Sequence, residues 1–96
     1  MITSTAERLC RHELIGLGIS VTQSLNPLHL GIKGTVVDET RNMLVIASNG
    51  KKKYVPKADA TYCFTLFNGT LVQIDGRQLL GRPVDRIARA SGRRSL

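Results

Sequence analysis

Two neighbouring carboxylates, Asp38 and Glu39, stand with Thr40, Arg41 and Asn42 between runs of Val, Ile and Leu. Such a pair could exchange a proton or hold a metal ion. Acid–base work needs two carboxyl groups aimed at one substrate, whereas adjacent side chains of an extended chain point to opposite sides. No histidine lies close in sequence. Asp38 and Asn42 are also common turn formers, because their side chains hydrogen-bond the local backbone. The block reads as a turn rather than a catalytic site.

The other reactive residues compose no site either. Cys10 and Cys63 stand far apart, with no C-x-x-C and no paired histidines at ligand spacing, so neither zinc nor a disulfide framework is expected. Cys63, between Tyr62 and Phe64, reads as a small buried hydrophobe. Cys10 and His12 read as helix surface, and His29 as a loop or edge residue. Gly31-Ile32-Lys33-Gly34 matches the G-x-x-G of KH domains, but that loop joins two helices, and here β-branched residues follow at strand spacing. Gly16-Leu17-Gly18 has no strand before it and no Lys-Ser/Thr after it, so it is not a phosphate loop. Ser4 and Ser24 lack a G-x-S-x-G context. No catalytic residue and no metal ligand is expected in this chain.

The basic residues carry a stronger signal. The 96 residues hold 14 Lys and Arg against 7 Asp and Glu, a formal charge of +7. Arg77 to Leu96 contains six Arg and one Asp, so most of the excess sits at the C-terminus. A polyanion is the natural partner, RNA or DNA before membrane, since no apolar face accompanies the charge. Arg82, Arg86, Arg89 and Arg93 fall on one stripe of a helix, and a solvated helix face would normally mix signs. Arginine's planar, permanently charged fork suits phosphate. Lys51, Lys52 and Lys53 beside a hairpin, Lys33 in a preceding strand and Arg11 on the polar side of an N-terminal helix complete the candidate contacts. Tyr54 could stack on a base or be a half-buried strand residue. With four aromatic residues in all, recognition should rest on backbone and shape.

Elements to position these residues follow from periodicity. Ser4-x-x-Glu7 is a capping box, and Ala6, Leu9, Cys10 and Leu14 continue at helical spacing, predicting a helix from about Thr5 to Ile15 that ends at Gly16 and Gly18. Its apolar stripe, Leu9 and Leu14 with Ile15, must pack on the domain or on another protein. The period then becomes two. Strands are predicted through Ile19–Thr22, Gly31–Val37, Met43–Ser48, Lys51–Val55, Thr61–Leu66 and Thr70–Asp75, with a turn at Asn26-Pro27 and hairpins at Asn49-Gly50 and Asn68-Gly69. Six short strands joined mostly by tight turns imply a small closed or partly closed barrel. A final helix starts near Arg82, with Pro83 at its first turn. The expected organisation is a helical extension over residues 1–16, a β-barrel core over 17–76 and a basic helix and tail over 77–96. Mean hydropathy is near zero and no apolar run approaches the roughly 20 residues of a membrane span. The N-terminus lacks a signal-peptide pattern, so a cytoplasmic location is expected.

Several of these segments together resemble one family, archaeal ribonuclease P protein component 1, a protein subunit of a tRNA-processing ribonucleoprotein. The resemblance rests on Arg11-His-Glu-Leu-Ile-Gly16, on Asn26-Pro27 with Gly31-Ile-Lys-Gly-Thr-Val-Val-Asp-Glu-Thr-Arg-Asn42, and on Val55-Pro-Lys57, Phe64-Thr-Leu66, Asp75-Gly76 and Gly81-Arg-Pro-Val-Asp-Arg86 in order. It implies an Sm-like or SH3-like barrel with terminal helices, agreeing with the strand count. It further implies that the RNA and its Mg²⁺ catalyse removal of the 5′ leader of precursor tRNA, with no cofactor bound by this chain. The implied partners are the RNase P RNA, precursor tRNA through the holoenzyme, and a zinc-ribbon protein subunit, with no membrane and a monomer when alone. Arg41 would be presented to RNA by its turn, held by Asp38 and Asn42. The competing readings are another Sm-like or ribosomal RNA-binding protein, a peptide-docking SH3-like module, for which aromatics are too few, and a lone protein nuclease, which predicts loss of cleavage on Asp38→Asn alone.

Overall fold

A computed structural model describes Leu9 and residues 13–81 of the chain. It contains six strands, β1 (Gly18–Ser24), β2 (Lys33–Glu39), β3 (Met43–Ser48), β4 (Lys51–Pro56), β5 (Ala60–Thr65) and β6 (Leu71–Asp75). Short 3₁₀ turns occupy Pro27–His29 and Gly76–Leu79. All neighbours are antiparallel, in the order β4-β3-β2-β1-β5-β6. β1 to β4 form the expected meander, but β5 returns to pair with β1 instead of continuing beside β4. Among the described residues no ladder joins β4 to β6, so the sheet is not closed by hydrogen bonds into the predicted barrel.

Alternation decides which side of the sheet is apolar. Ile19, Val21, Val36, Leu44, Ile46, Val55, Tyr62, Phe64, Val72 and Ile74 all point to one side and form a single core, which Leu9, Leu14, Leu17 and Leu79 complete. That one core draws on every strand, so the sheet must curl around it. Two irregularities in register help, one between Val21 and Gln23 and one between Val36 and Asp38, because a bulge bends its strand and increases twist. Gly34 permits close approach of β2 to β3: a Cβ there would lie 2.0 Å from the Ala47 carbonyl oxygen. Tyr62 and Phe64 pack with ring centroids 6.3 Å apart at the centre. Asn49 and Gly50 both take positive φ, as the tight β3–β4 hairpin requires.

Several expectations change. The helix predicted from Thr5 to Ile15 falls mostly outside the described residues, and its last three residues are not helical, since Ile15 and Gly16 already form a turn. The C-terminal helix from Arg82 lies outside them altogether. Cys63 is half-buried on the outer face of β5 rather than in the core. The polar block is only partly a loop. β2 runs on through Asp38 and Glu39, leaving Thr40, Arg41 and Asn42 as the tip. Thr40, not Asp38 and Asn42, closes that tip: its hydroxyl accepts from the Met43 amide and its own amide donates to the Met43 carbonyl. Asp38 instead accepts from the adjacent Glu39 amide at 2.8 Å.

Candidate nucleic-acid interface

Glu39 and Lys57 come together inside the domain although they are 18 residues apart in sequence. The bulge after Val36 explains Glu39. Simple alternation from Val36 would turn Asp38 inward, but the extra residue passes that position to Glu39. Its carboxylate lies 2.7 Å from Lys57 Nζ, and both side chains are fully buried. The same ammonium donates to the carbonyls of Thr40 at 2.8 Å, Gly81 at 2.9 Å and, more distantly, Arg41 at 3.3 Å. A buried ammonium is tolerated only when paired and hydrogen-bonded, and Lys57 meets both conditions.

The backbone around Lys57 is fixed from three further directions. Its amide donates to the Asn42 carbonyl at 2.8 Å. Tyr62 donates its hydroxyl to the Pro56 carbonyl at 2.6 Å. Burial, with the negative charge of Asp59 adding to it, pushes the Tyr62 phenol far above its usual range, so it remains a donor. Gly76 lies against the Lys57 carbonyl so closely that a Cβ there would be 1.7 Å from its oxygen. Asp75 sets up that approach by capping the following turn through the Arg77 amide, and its exposed pairing with Arg77 holds the carboxyl below its ordinary range. The segments Asp38–Asn42, Val55–Lys57, Asp75-Gly76 and Gly81, scattered in sequence, thus meet around one lysine.

This arrangement sets the tip beside Gly81, the last of the described residues. The Gly81 amide donates to the carbonyl of the exposed Arg41 at 2.8 Å. The other candidate contacts cluster at the opposite end of the sheet. Lys33 begins β2, and Lys51, Lys52 and Lys53 begin β4, paired with Ser48, Ala47 and Ile46. All four lysines are exposed, and no acidic residue occurs between Met43 and Lys57. Among the described residues no carboxylate pairs with any of them. The length of β3 separates the two ends by roughly 20 Å, so the predicted basic residues make two regions rather than one. Tyr54, 59% exposed, lies on β4 between them. Arg11, Arg82, Arg86, Arg89 and Arg93 lie outside the described residues.

Of the predicted docking residues, Leu9 and Leu14 are buried in this chain's own core and only Ile15 is exposed. Their helical spacing had a partner to find, and it is the domain itself. Among the described residues the most exposed large apolar side chains are elsewhere, at Leu25, Leu28 and Phe67, all more than 80% exposed. Leucines on both sides of Asn26-Pro27 were the available signal for the first two, since a proline-initiated turn is too short to bury them. Glu39 and Lys57 gave no local signal at all. Among the described residues no three His, Cys, Asp or Glu side chains gather to hold a metal, and no helix is long and apolar enough to cross a membrane.

Comparison with known proteins gives this geometry a context. The family model for ribonuclease P/MRP subunit p29 matches residues 7–89. Ribonuclease P protein component 1 of Methanosphaera stadtmanae is 42% identical over 83 residues, covering 86% of this chain and 89% of that one. The protein of the same name from Methanocaldococcus jannaschii is 46% identical over 84 residues, covering 86% and 87%. The solved structure of Mth11, described as a homologue of the human RNase P protein Rpp29, superposes with a TM-score of 0.60 at 49% identity, over 80% of this chain and all of that one. The segments that converge on Lys57 all fall within the matched span, and the chain belongs to the ribonuclease P/MRP subunit p29 family.

Proposed function

We propose that this chain holds RNA within ribonuclease P while the RNA and its bound Mg²⁺ carry out cleavage of the precursor tRNA leader. By family the chain is a ribonuclease P protein subunit, and its setting is the tRNA-processing ribonucleoprotein. The observation that carries the RNA-binding reading is the run of exposed, like-charged lysines, Lys33 and Lys51 to Lys53, with no carboxylate to neutralise them among the described residues. Ammonium groups of one sign on a rigid edge neutralise phosphates and release counterions, which is the dominant sequence-independent term in RNA binding. Lysines on an edge strand also discourage pairing with another sheet, but Lys33 lies on β2, an interior strand, where that role does not apply. Tyr54 offers a single ring for stacking beside them.

In this reading the curled sheet works as an Sm-like barrel, and the chain, cytoplasmic and monomeric when alone, docks the zinc-ribbon subunit of the same enzyme through exposed apolar residues. It contributes charge and position, and the Mg²⁺ belongs to the RNA. The test is reconstitution: precursor tRNA with the organism's RNase P RNA and the zinc-ribbon subunit at limiting Mg²⁺, with and without this chain. Cleavage at the 5′ leader that depends on all three components supports the reading. No stimulation by a folded preparation would refute it in favour of an Sm-like RNA binder outside tRNA processing.

A further inference from the structure

We propose that an unpaired RNA strand crosses the outer face of the sheet, with its phosphates on Lys33 and Lys52 and a base on Tyr54. The proposal rests on the RNA-binding reading above and assigns the surface, and the kind of RNA, that these lysines serve.

The register decides which side chains share that face. Lys52, Ala47, Thr35, Gly18, Thr65 and Leu71 stand opposite one another in turn, a row that crosses all six strands. Their sequence neighbours Ile46, Val36, Ile19, Phe64 and Val72 belong to the core, so the row faces outward. Lys33, Ser20, Cys63 and Gln73 form the next row. The two rows hold two cations and no carboxylate. Asp38 and Asp75 stand in the rows on either side, opposite Val45 and Thr61, and confine a polyanion to the band between them. Lys33 and Lys52 are roughly 12 Å apart by strand spacing and rise. Lys51 and Lys53, opposite Ser48 and Ile46, alternate to the other side of β4. Lys33 therefore works with Lys52 on this face.

The band has a low floor. Gly18, Ser20, Lys33, Cys63, Thr65 and Leu71 line an open groove. Short side chains there let a nucleic-acid backbone approach closely, and the Ser20, Thr35 and Thr65 hydroxyls can donate to phosphate or sugar oxygens. Leu71 is the single large apolar side chain in the two rows, so the band lacks the aromatic and apolar anchors that hold a protein partner. Tyr54 lies two residues after Lys52, hence on the same face, and is 59% exposed. Its ring stacks on a base that is free of a duplex, which makes the strand an unpaired one.

Cys63, half-buried in this groove, reports whether the groove is covered. Its alkylation by iodoacetamide, a neutral reagent that RNA charge does not repel, is followed by mass spectrometry in the full chain, free and saturated with its RNase P RNA. The RNA should slow alkylation by about tenfold or more. Lys33→Ala/Lys52→Ala should restore the free rate even when RNA is raised until the variant is bound, whereas Lys51→Ala/Lys53→Ala should keep the protection. A single-stranded RNA of about 12 nucleotides should protect Cys63 at low salt, and a duplex of the same length should not. Unchanged alkylation in the bound chain would overturn the proposal, as would equal loss of protection in both lysine pairs, or equal protection by duplex and single strand. Protection by the zinc-ribbon subunit without RNA would overturn it in favour of a protein on this face. A wild-type chain that does not bind the RNase P RNA at all would instead refute the RNA-binding reading itself.

Discussion

Replacing Lys57 by Met removes a cation from a place where water does not follow. The Glu39 carboxylate, fully buried at 2.7 Å from the ammonium, would lose that counter-charge, and the Thr40 and Gly81 carbonyls would lose a short donor. Breaking a buried pair by removing one partner costs about 3–5 kcal/mol. A domain of this size has roughly 5–14 kcal/mol in total, so Lys57→Met should lose about a fifth or more of its stability. At about 4–8 °C per kcal/mol, melting should fall by roughly 12–40 °C. Glu39→Leu/Lys57→Met should recover part of the loss, because matched apolar side chains replace a buried pair at little cost, but it should stay below the wild type because the Thr40 and Gly81 carbonyls remain without that donor. Urea unfolding followed by far-ultraviolet circular dichroism measures all three proteins. The reasoning fails if Lys57→Met costs less than about 1 kcal/mol, or if the double variant is no more stable than the single one.

Other consequences are more local. Gly76→Ala should destabilise by about 3 kcal/mol or more, since the new Cβ meets the Lys57 and Ala60 carbonyls, and backbone cannot step aside as a side chain can; urea midpoints report it. The Tyr62 phenol is held above its ordinary value of 10.0 in the folded chain, so between that pH and the folded value the unfolded state alone loses the proton. Tyr62 therefore stabilises fully below pH 10 and progressively less above it, with a slope of about 1.4 kcal/mol per pH unit. Tyr62→Phe should remove that increment from the alkaline dependence of stability. Replacing Lys33, Lys51, Lys52 and Lys53 together by Ala should flatten the dependence of log affinity for RNase P RNA on log salt by about 3 units, at roughly 0.7–0.9 per lost phosphate contact. An unchanged slope in filter binding would remove these lysines from the interface.

The strands were legible because their signals are local. Met43–Ser48 lies where its apolar run and the following Asn49-Gly50 put it, and the alternation of Tyr62 and Phe64 against Thr61 and Cys63 names the inner face of β5 correctly. What was hidden depends on chain segments that meet only in space. No local rule says that β5 returns to β1, because pairing partners are chosen by the whole core. The bulge between Val36 and Asp38 carries no sequence marker, yet it decides that Glu39 and not Asp38 turns inward. In the sequence Lys57 is a lysine that follows Pro56. Its acceptors come from residues 39, 40 and 81, so nothing near it in sequence announced the burial. For the candidate interface the lysine run was plain from composition. Its separation from Arg41 by the length of β3 required the register.

The central claim is that this chain lends charge and position to a reaction carried by RNA, and one measurement addresses it most directly. In the reconstituted enzyme, precursor tRNA cleavage would be followed as a function of Mg²⁺ for the wild type, Arg41→Ala and Asp38→Asn. Arg41→Ala should raise the Mg²⁺ needed for half-maximal cleavage and reach the wild-type rate when Mg²⁺ saturates, while Asp38→Asn should match the wild type throughout. Loss of cleavage in Asp38→Asn at saturating Mg²⁺, with Arg41→Ala unaffected, would contradict the account and put the chemistry in the protein.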